Sequence, residues 1–216
     1  AYALNCARYI EAKLFKTILP PEEVAAIILA PIQGEGGYVV APDNFLKEIR
    51  RICDQHGLLL IADEVQSGVG RTGKWWAIDH SGVQPDIVCI AKGIASGMPL
   101  GICMTRAEVM NWVPGSHAST YGGNPICIAA ALATLDIIER EAKQNATTVG
   151  GKMLDRLRPW VAKHAHVGDV RGRGLMIGVE IVKDQQSRTP VGSMRDKIVE
   201  LAFERGERAF AQAAGI

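Results

Sequence analysis

Residues 58–92 read LLLIADEVQSGVGRTGKWWAIDHSGVQPDIVCIAK. Two apolar runs stand out within them, residues 58–62 and 87–91. Each has the length and the apolar content of a buried strand. Asp63 and Glu64 end the first run, and Lys92 ends the second. If the two strands are parallel neighbours, an acid and a lysine face one another across a single crevice. Ligands of open α/β sheets bind in such a crevice, beyond the carboxyl ends of the strands.

The flanking sequence supports that arrangement. Residues 24–29 form a β-branched apolar run, read as a buried strand, and the Gly34-Glu-Gly-Gly37 loop follows. Asp43 is placed to cap a helix reaching about residue 56, with Phe45, Leu46, Ile49, Ile52 and Cys53 on one face and Gly57 as its terminator. Strand, helix, strand is the βαβ unit, whose crossover builds parallel sheets. Residues 100–105 read as a further strand, and Pro125 opens an Ala-rich helix to about residue 143, a position that suits proline. A helix is also expected over residues 2–15, and a turn or helix start at Pro20-Pro-Glu-Glu23.

Composition changes after Gln144. Residues 150–164 are amphipathic, residues 167–170 and 175–182 read as strands around Arg171-Gly-Arg-Gly174, and residues 190–205 read as a helix. A domain boundary is therefore expected near residue 145, dividing 1–145 from 146–216. The last eleven residues, GERAFAQAAGI, offer no strand. The chain lacks an initiator Met and begins within a pattern, which reads as a piece of a longer protein.

Composition excludes several classes. The 216 residues are 48% hydrophobic and 22% charged, which suits a folded domain with a sizeable core. A net charge of +1 gives no electrostatic case for nucleic acid or an anionic membrane. No apolar run approaches the ~18 residues of a membrane helix, and the start lacks the plan of a signal peptide. The five cysteines form no CxxC pair, and four lie in apolar surroundings. They read as buried free thiols in a reducing, cytoplasmic setting. His164 and His166 have no Cys or carboxylate cluster beside them and read as loop histidines, so no metal site is expected.

Two chemistries compete for the crevice. Gly68-Val-Gly-Arg-Thr-Gly-Lys74 fits the phosphate-loop spacing G-x-x-x-x-G-K. Trp75 stands where that motif needs Ser or Thr, and one strand would have to carry both the acidic and the phosphate motifs, so the stretch reads as an ordinary loop. Lys92 could be a solvated lysine at a strand end, the usual case. Small residues follow it, however (Gly93-Ile-Ala-Ser-Gly97), and leave room for a flat group beside the amine. A desolvated lysine there is a candidate Schiff-base nucleophile. A pyridoxal phosphate bound to it would need a carboxylate to keep its ring nitrogen protonated, and Asp63 is placed to supply one. A loop cap or an arginine partner is the alternative reading of Asp63.

These residues resemble a known family. Ile61-Ala-Asp-Glu-Val-Gln-Ser-Gly-Val-Gly-Arg-Thr-Gly73, Pro85-Asp-Ile87, Ala91-Lys-Gly93, Ser119-Thr-Tyr-Gly-Gly-Asn-Pro125 and Pro31-Ile-Gln-Gly-Glu-Gly-Gly37 are similar to the motifs of class III pyridoxal-phosphate aminotransferases, with a texture nearest the 4-aminobutyrate branch. The resemblance spans roughly residues 20–205. It implies the type I pyridoxal-phosphate transferase fold, an α/β fold with a mainly parallel sheet, helices on both faces and part of a smaller C-terminal α/β domain. It also implies a homodimer with a shared active site, and transfer of an amino group from 4-aminobutyrate or another ω-amine to a 2-oxo acid such as 2-oxoglutarate. Acetylornithine or ornithine transamination and amino-acid racemisation are alternatives on the same scaffold.

The resemblance assigns roles by position. Lys92 would hold the cofactor and move the proton, Asp63 would pair with the ring nitrogen, Val65 would pack on a ring face, and Gln66 would bond the ring hydroxyl. Thr120, with Ser119 beside it, would bind the phosphate across the dimer interface. Glu35 would gate substrate carboxylates by pairing with an arginine. Ala30 stands where the family has Glu before Pro-Ile-Gln-Gly. The upstream phosphate-binding turn and ring-stacking aromatic would precede residue 1, and the arginine for Glu35 would follow residue 205. A truncated, non-catalytic fragment is accordingly the alternative of another class.

Overall fold

The structure, a computed structural model, describes residues 1–205. The reading of GERAFAQAAGI as strandless concerns residues 206–216, outside that range. The expected first helix is present as α1 (Tyr2–Tyr9), a π-helical turn (Ile10–Leu14) and α2 (Phe15–Thr17). A 3-10 turn (Pro21–Glu23) then leads into β1 (Ala26–Leu29), α3 (Asp43–His56) and β2 (Leu59–Asp63).

The faces of α3 follow from its spacing. Leu46, Ile49, Ile52 and Cys53 recur at three- and four-residue steps and are buried. Gly57 ends the helix at φ +69°, where its N–H bonds Cys53 O and a side chain would be strained. Asp43 does not cap α3 as expected. It lies inside the first turn, behind Pro42, and its carboxylate accepts from Arg173 (3.1 Å).

A 3-10 turn (Ala77–Ser81) separates β2 from β3 (Ile87–Ile90). A further 3-10 turn (Lys92–Ala95) leads to β4 (Ile102–Thr105). The four strands form one sheet in the order β1-β2-β3-β4. β1, β2 and β3 are parallel, with Ala26 opposite Leu59 and Asp63 opposite Cys89; β4 is antiparallel to β3. β1 is an edge strand, so the run read as buried leaves Ile28 63% exposed. Leu60 and Ala62 join the core with α3, and Val88 and Ile90 pack with Ala131. The alternate residues Ile61, Ile87 and Cys89 are half-buried.

The sequence suggests separate helices before and after residue 144. Instead α4 (Pro125–Ile137), a π-helical turn (Ile138–Ala142) and α5 (Lys143–Leu157) follow without interruption. The polar stretch Gln144-Asn-Ala-Thr-Thr148 lowers helix propensity without breaking the helix. After α6 (Trp160–Lys163), β5 (Val167–Arg173) and β6 (Met176–Ile181) form a second, antiparallel sheet, and α7 (Gly192–Glu204) follows. β5 runs through most of the Arg-Gly-Arg-Gly stretch, leaving only Gly174 and Leu175 as the turn.

No helix among the described residues is long and apolar enough to cross a membrane. All five cysteines are free, but only Cys53 and Cys127 are buried. Cys103 is exposed on the edge strand β4, and Cys6 is exposed on α1, which corrects the expectation of buried thiols.

Candidate active site

Parallel pairing brings the ends of β2 and β3 together. Glu64 N donates to Cys89 O (3.0 Å), so the ladder continues one residue past β2. Asp63 is half-buried at this rim, and its Oδ1 accepts from Val65 N (3.1 Å). That bond holds the carboxylate locally. Its other oxygen has no hydrogen-bond partner among the described residues.

Lys92 follows β3 with its backbone at φ +49°, a region that costs an ordinary side chain energy. Its side chain is exposed, and Nζ donates to Gln66 Oε1 (3.1 Å). No carboxylate among the described residues forms an ion pair with it. Gln66 in turn donates from Nε2 to the Tyr38 hydroxyl (3.2 Å). The amide is fixed at both ends, by an amine and by a phenol. Gly34 makes room for it, since a Cβ there would stand 2.3 Å from Gln66 Oε1.

Glu64, beside Asp63, takes a different course. It is fully buried, accepting from Ser67 Oγ (2.6 Å) and from Ile78 N (2.8 Å). Burial pushes its carboxyl above the ordinary range, against the pull of those donors. Its carbonyl also accepts from Gly68 N (3.0 Å). Glu64 thus cinches the turn that carries Val65 and Gln66. Burial likewise pushes the Cys89 thiol up, with Cys103 and Asp63 adding to the effect.

The remaining sequence-derived candidates lie apart from this cluster. Glu35 is exposed in the Gly34–Gly37 turn and has no ion-pair partner among the described residues. Ser119 and Thr120 are exposed in the loop before α4, where Ser119 O accepts from Gly122 N (3.4 Å). Neither hydroxyl bonds a crevice residue among those described. The phosphate-loop look-alike is a run of turns, with Arg71 N bonding Gly68 O and Gly73 N bonding Gly70 O. No helix starts there, so it has no helix terminus to hold phosphate. Among the described residues no cluster of three metal-ligating side chains exists, and His166 Nδ1 lies 2.8 Å from Lys183 O.

Sequence reading missed Tyr38, Glu64 and Arg171. Glu64 was legible: it continues the period-two alternation of the buried Leu60 and Ala62. Tyr38 and Arg171 act through contacts between distant segments, which spacing does not encode.

The sequence pattern of the family described as "Aminotransferase class-III" matches residues 3–207. The chain is 47% identical over 199 residues to an alanine/serine racemase of Pyrococcus horikoshii, covering 92% of this chain and 42% of that protein. It is 44% identical over 196 residues to a 4-aminobutyrate aminotransferase of Escherichia coli, covering 90% and 46%. It superposes on an amine transaminase from an uncultivated Pseudomonas species, solved in its PLP-bound form, with TM-score 0.89 and 38% identity over 99% of this chain and 50% of that one. The chain therefore spans about half the length of the curated relatives it matches.

Proposed function

The chain belongs to the class III aminotransferase family, and from that premise we propose that it carries the lysine half of a pyridoxal-phosphate-dependent aminotransferase. The observation that carries the reading is Lys92, held in a left-handed backbone beyond β3 with a neutral acceptor and no carboxylate partner among the described residues. Asp63 at the end of the neighbouring strand supports it.

The residues present fit the cofactor. A primary amine, a carboxylate with one uncommitted oxygen and an amide able to donate and accept lie at the ends of adjacent parallel strands. Pyridoxal phosphate supplies, when bound, an electron sink that makes the Cα–H of an amino substrate acidic. Lys92 would hold the cofactor through Nζ, and as a free amine would move the proton at substrate Cα. Asp63 would hold the proton on the ring nitrogen. Gln66 would orient the ring through its hydroxyl, and Val65 would cover one face against water. Thr120, with Ser119, would bind a phosphate across the interface of a homodimer. Glu35 would gate substrate carboxylates by pairing with an arginine.

The proposed reaction passes an amino group from 4-aminobutyrate or another ω-amine to a 2-oxo acid such as 2-oxoglutarate. We assign residues 1–145 to the cofactor-binding domain and 146–216 to a smaller one, and place the protein in the cytoplasm. Racemisation is the second reading, favoured by the 47% identity to the alanine/serine racemase. A donor screen on the whole protein tests the choice. Formation of glutamate from 2-oxoglutarate, absent in Lys92→Ala, supports transamination. Solvent deuterium entering Cα of alanine or serine with inversion, and no glutamate, supports racemisation. Neither activity in a folded, cofactor-loaded protein rejects both.

A further inference from the structure

We propose that Arg171 on β5 is a positioning residue for Lys92, acting through the Gly34–Tyr38 turn and Gln66. The proposal rests on Lys92 being the reactive amine.

Arg171 sits with its side chain only 19% exposed. Nε and one terminal nitrogen both donate to Gly37 O, at 2.9 and 2.7 Å. The other terminal nitrogen reaches Asp169 (3.1 Å) and Glu180 (2.5 Å). Two carboxylates thus fix the guanidinium, and its remaining donors converge on a single backbone carbonyl 134 residues away. Such a planar fork holds an acceptor in direction as well as distance.

The carbonyl belongs to a strained turn. Gly37 has φ +109° and Tyr38 φ +52°, and the N–H groups of both return to Gly34 O at 3.1 Å. Tyr38 pays for its position in backbone energy, so the turn needs an outside restraint. Arg171 supplies one, and β6 supplies another. A Cβ on Gly178 would lie 3.2 Å from Tyr38 Cβ and 3.3 Å from Gly37 O, so the sheet packs directly on the turn. From Tyr38 the contacts run through its hydroxyl to Gln66 and from Gln66 to Lys92. The second sheet therefore sets the orientation of the amide that the lysine meets. Glu35 occupies the same turn, so the clamp also fixes where that carboxylate is presented.

Hydrogen exchange of residues 33–41, with amine labelling of Lys92 by an acylating reagent, tests this on the cofactor-free protein. Arg171→Met should raise exchange across the turn by about tenfold, because two charge-assisted bonds are lost. Lys92 labelling should rise with it as Gln66 loses its anchor. Arg171→Lys retains a donor and should recover part of both. Tyr38→Phe should leave exchange in the turn unchanged and raise labelling alone. Unchanged exchange in Arg171→Met, with the β5–β6 hairpin still protected, would overturn the proposal, as would a loosened turn that leaves labelling unmoved. If Arg171→Met loses the hairpin itself, Arg171→Gln, which keeps a polar side chain but not the guanidinium fork, takes its place; there too, unchanged exchange counts against the clamp. Borohydride trapping of pyridoxal phosphate on Lys92 is scored separately. Its failure in the parent protein refutes the cofactor reading, whereas the exchange data alone decide the clamp.

Discussion

At the scale of single residues, two neighbouring acids show how position along a strand divides their work. Asp63 faces the rim and keeps one oxygen uncommitted; Glu64 is 0% exposed and spends both oxygens on Ser67 and Ile78. Burial raises the Glu64 pKa above its unfolded value. The folded chain then holds a proton that the unfolded chain has already released, so stability falls as pH rises through that window and is fullest below it. Glu64→Gln should flatten this decline in pH-dependent denaturation, and an unaltered slope would count against it. Glu64→Ala strands two buried donors and should cost about 2–5 kcal/mol. Asp63 and Lys92 were both legible in sequence, since each ends an apolar run. Lys92's left-handed backbone and its bond to Gln66 were not, because neither dihedral angle nor side-chain direction follows from an Ala-Lys-Gly string.

At the scale of elements, helix and strand boundaries follow local chemistry and depart from expectation where context intervenes. The Asn124 side chain accepts from Ile126 N (2.9 Å) and Cys127 N (3.3 Å), and Pro125 occupies the first helical turn. α4 packs on the 3-10 turn that carries Lys92, so its cap supports the site indirectly. Asn124→Ala should lower stability by about 1 kcal/mol in chemical denaturation; no change would show that the cap bonds are replaced by water at no cost. The start of this helix could be read from Asn-Pro. Its continuation through Gln144 could not, because it depends on tertiary burial: Ile138, Ala146 and Leu154 are buried, Leu154 against Val167 and Val170. β1 misled in the opposite sense, since an apolar run does not say which strand lies at the edge.

At the scale of the molecule, α5 and the β5–β6 turn meet by close backbone approach. A Cβ on Gly150 of α5 would stand 2.0 Å from Gly174 O in the β5–β6 turn, whereas a Cβ on Gly151 would meet nothing within 4 Å. Alanine in a helix interior ordinarily gains about 1 kcal/mol over glycine. Gly151→Ala should therefore stabilise by about that amount, and Gly150→Ala should destabilise by about 1–3 kcal/mol or more. Equal thermal shifts for the pair would contradict the packing described. The βαβ order made the main sheet legible from the chain alone. The second sheet's hold on the Gly34–Tyr38 turn was not, since it joins residues 134 apart.

The central claim is that Lys92 is the amine that holds pyridoxal phosphate. Borohydride reduction of the loaded protein, followed by peptide mass mapping, tests it most directly. The account predicts one pyridoxyl group, on Lys92, and none in Lys92→Ala. A folded protein saturated with cofactor that carries the label on another lysine, or carries none, would contradict it.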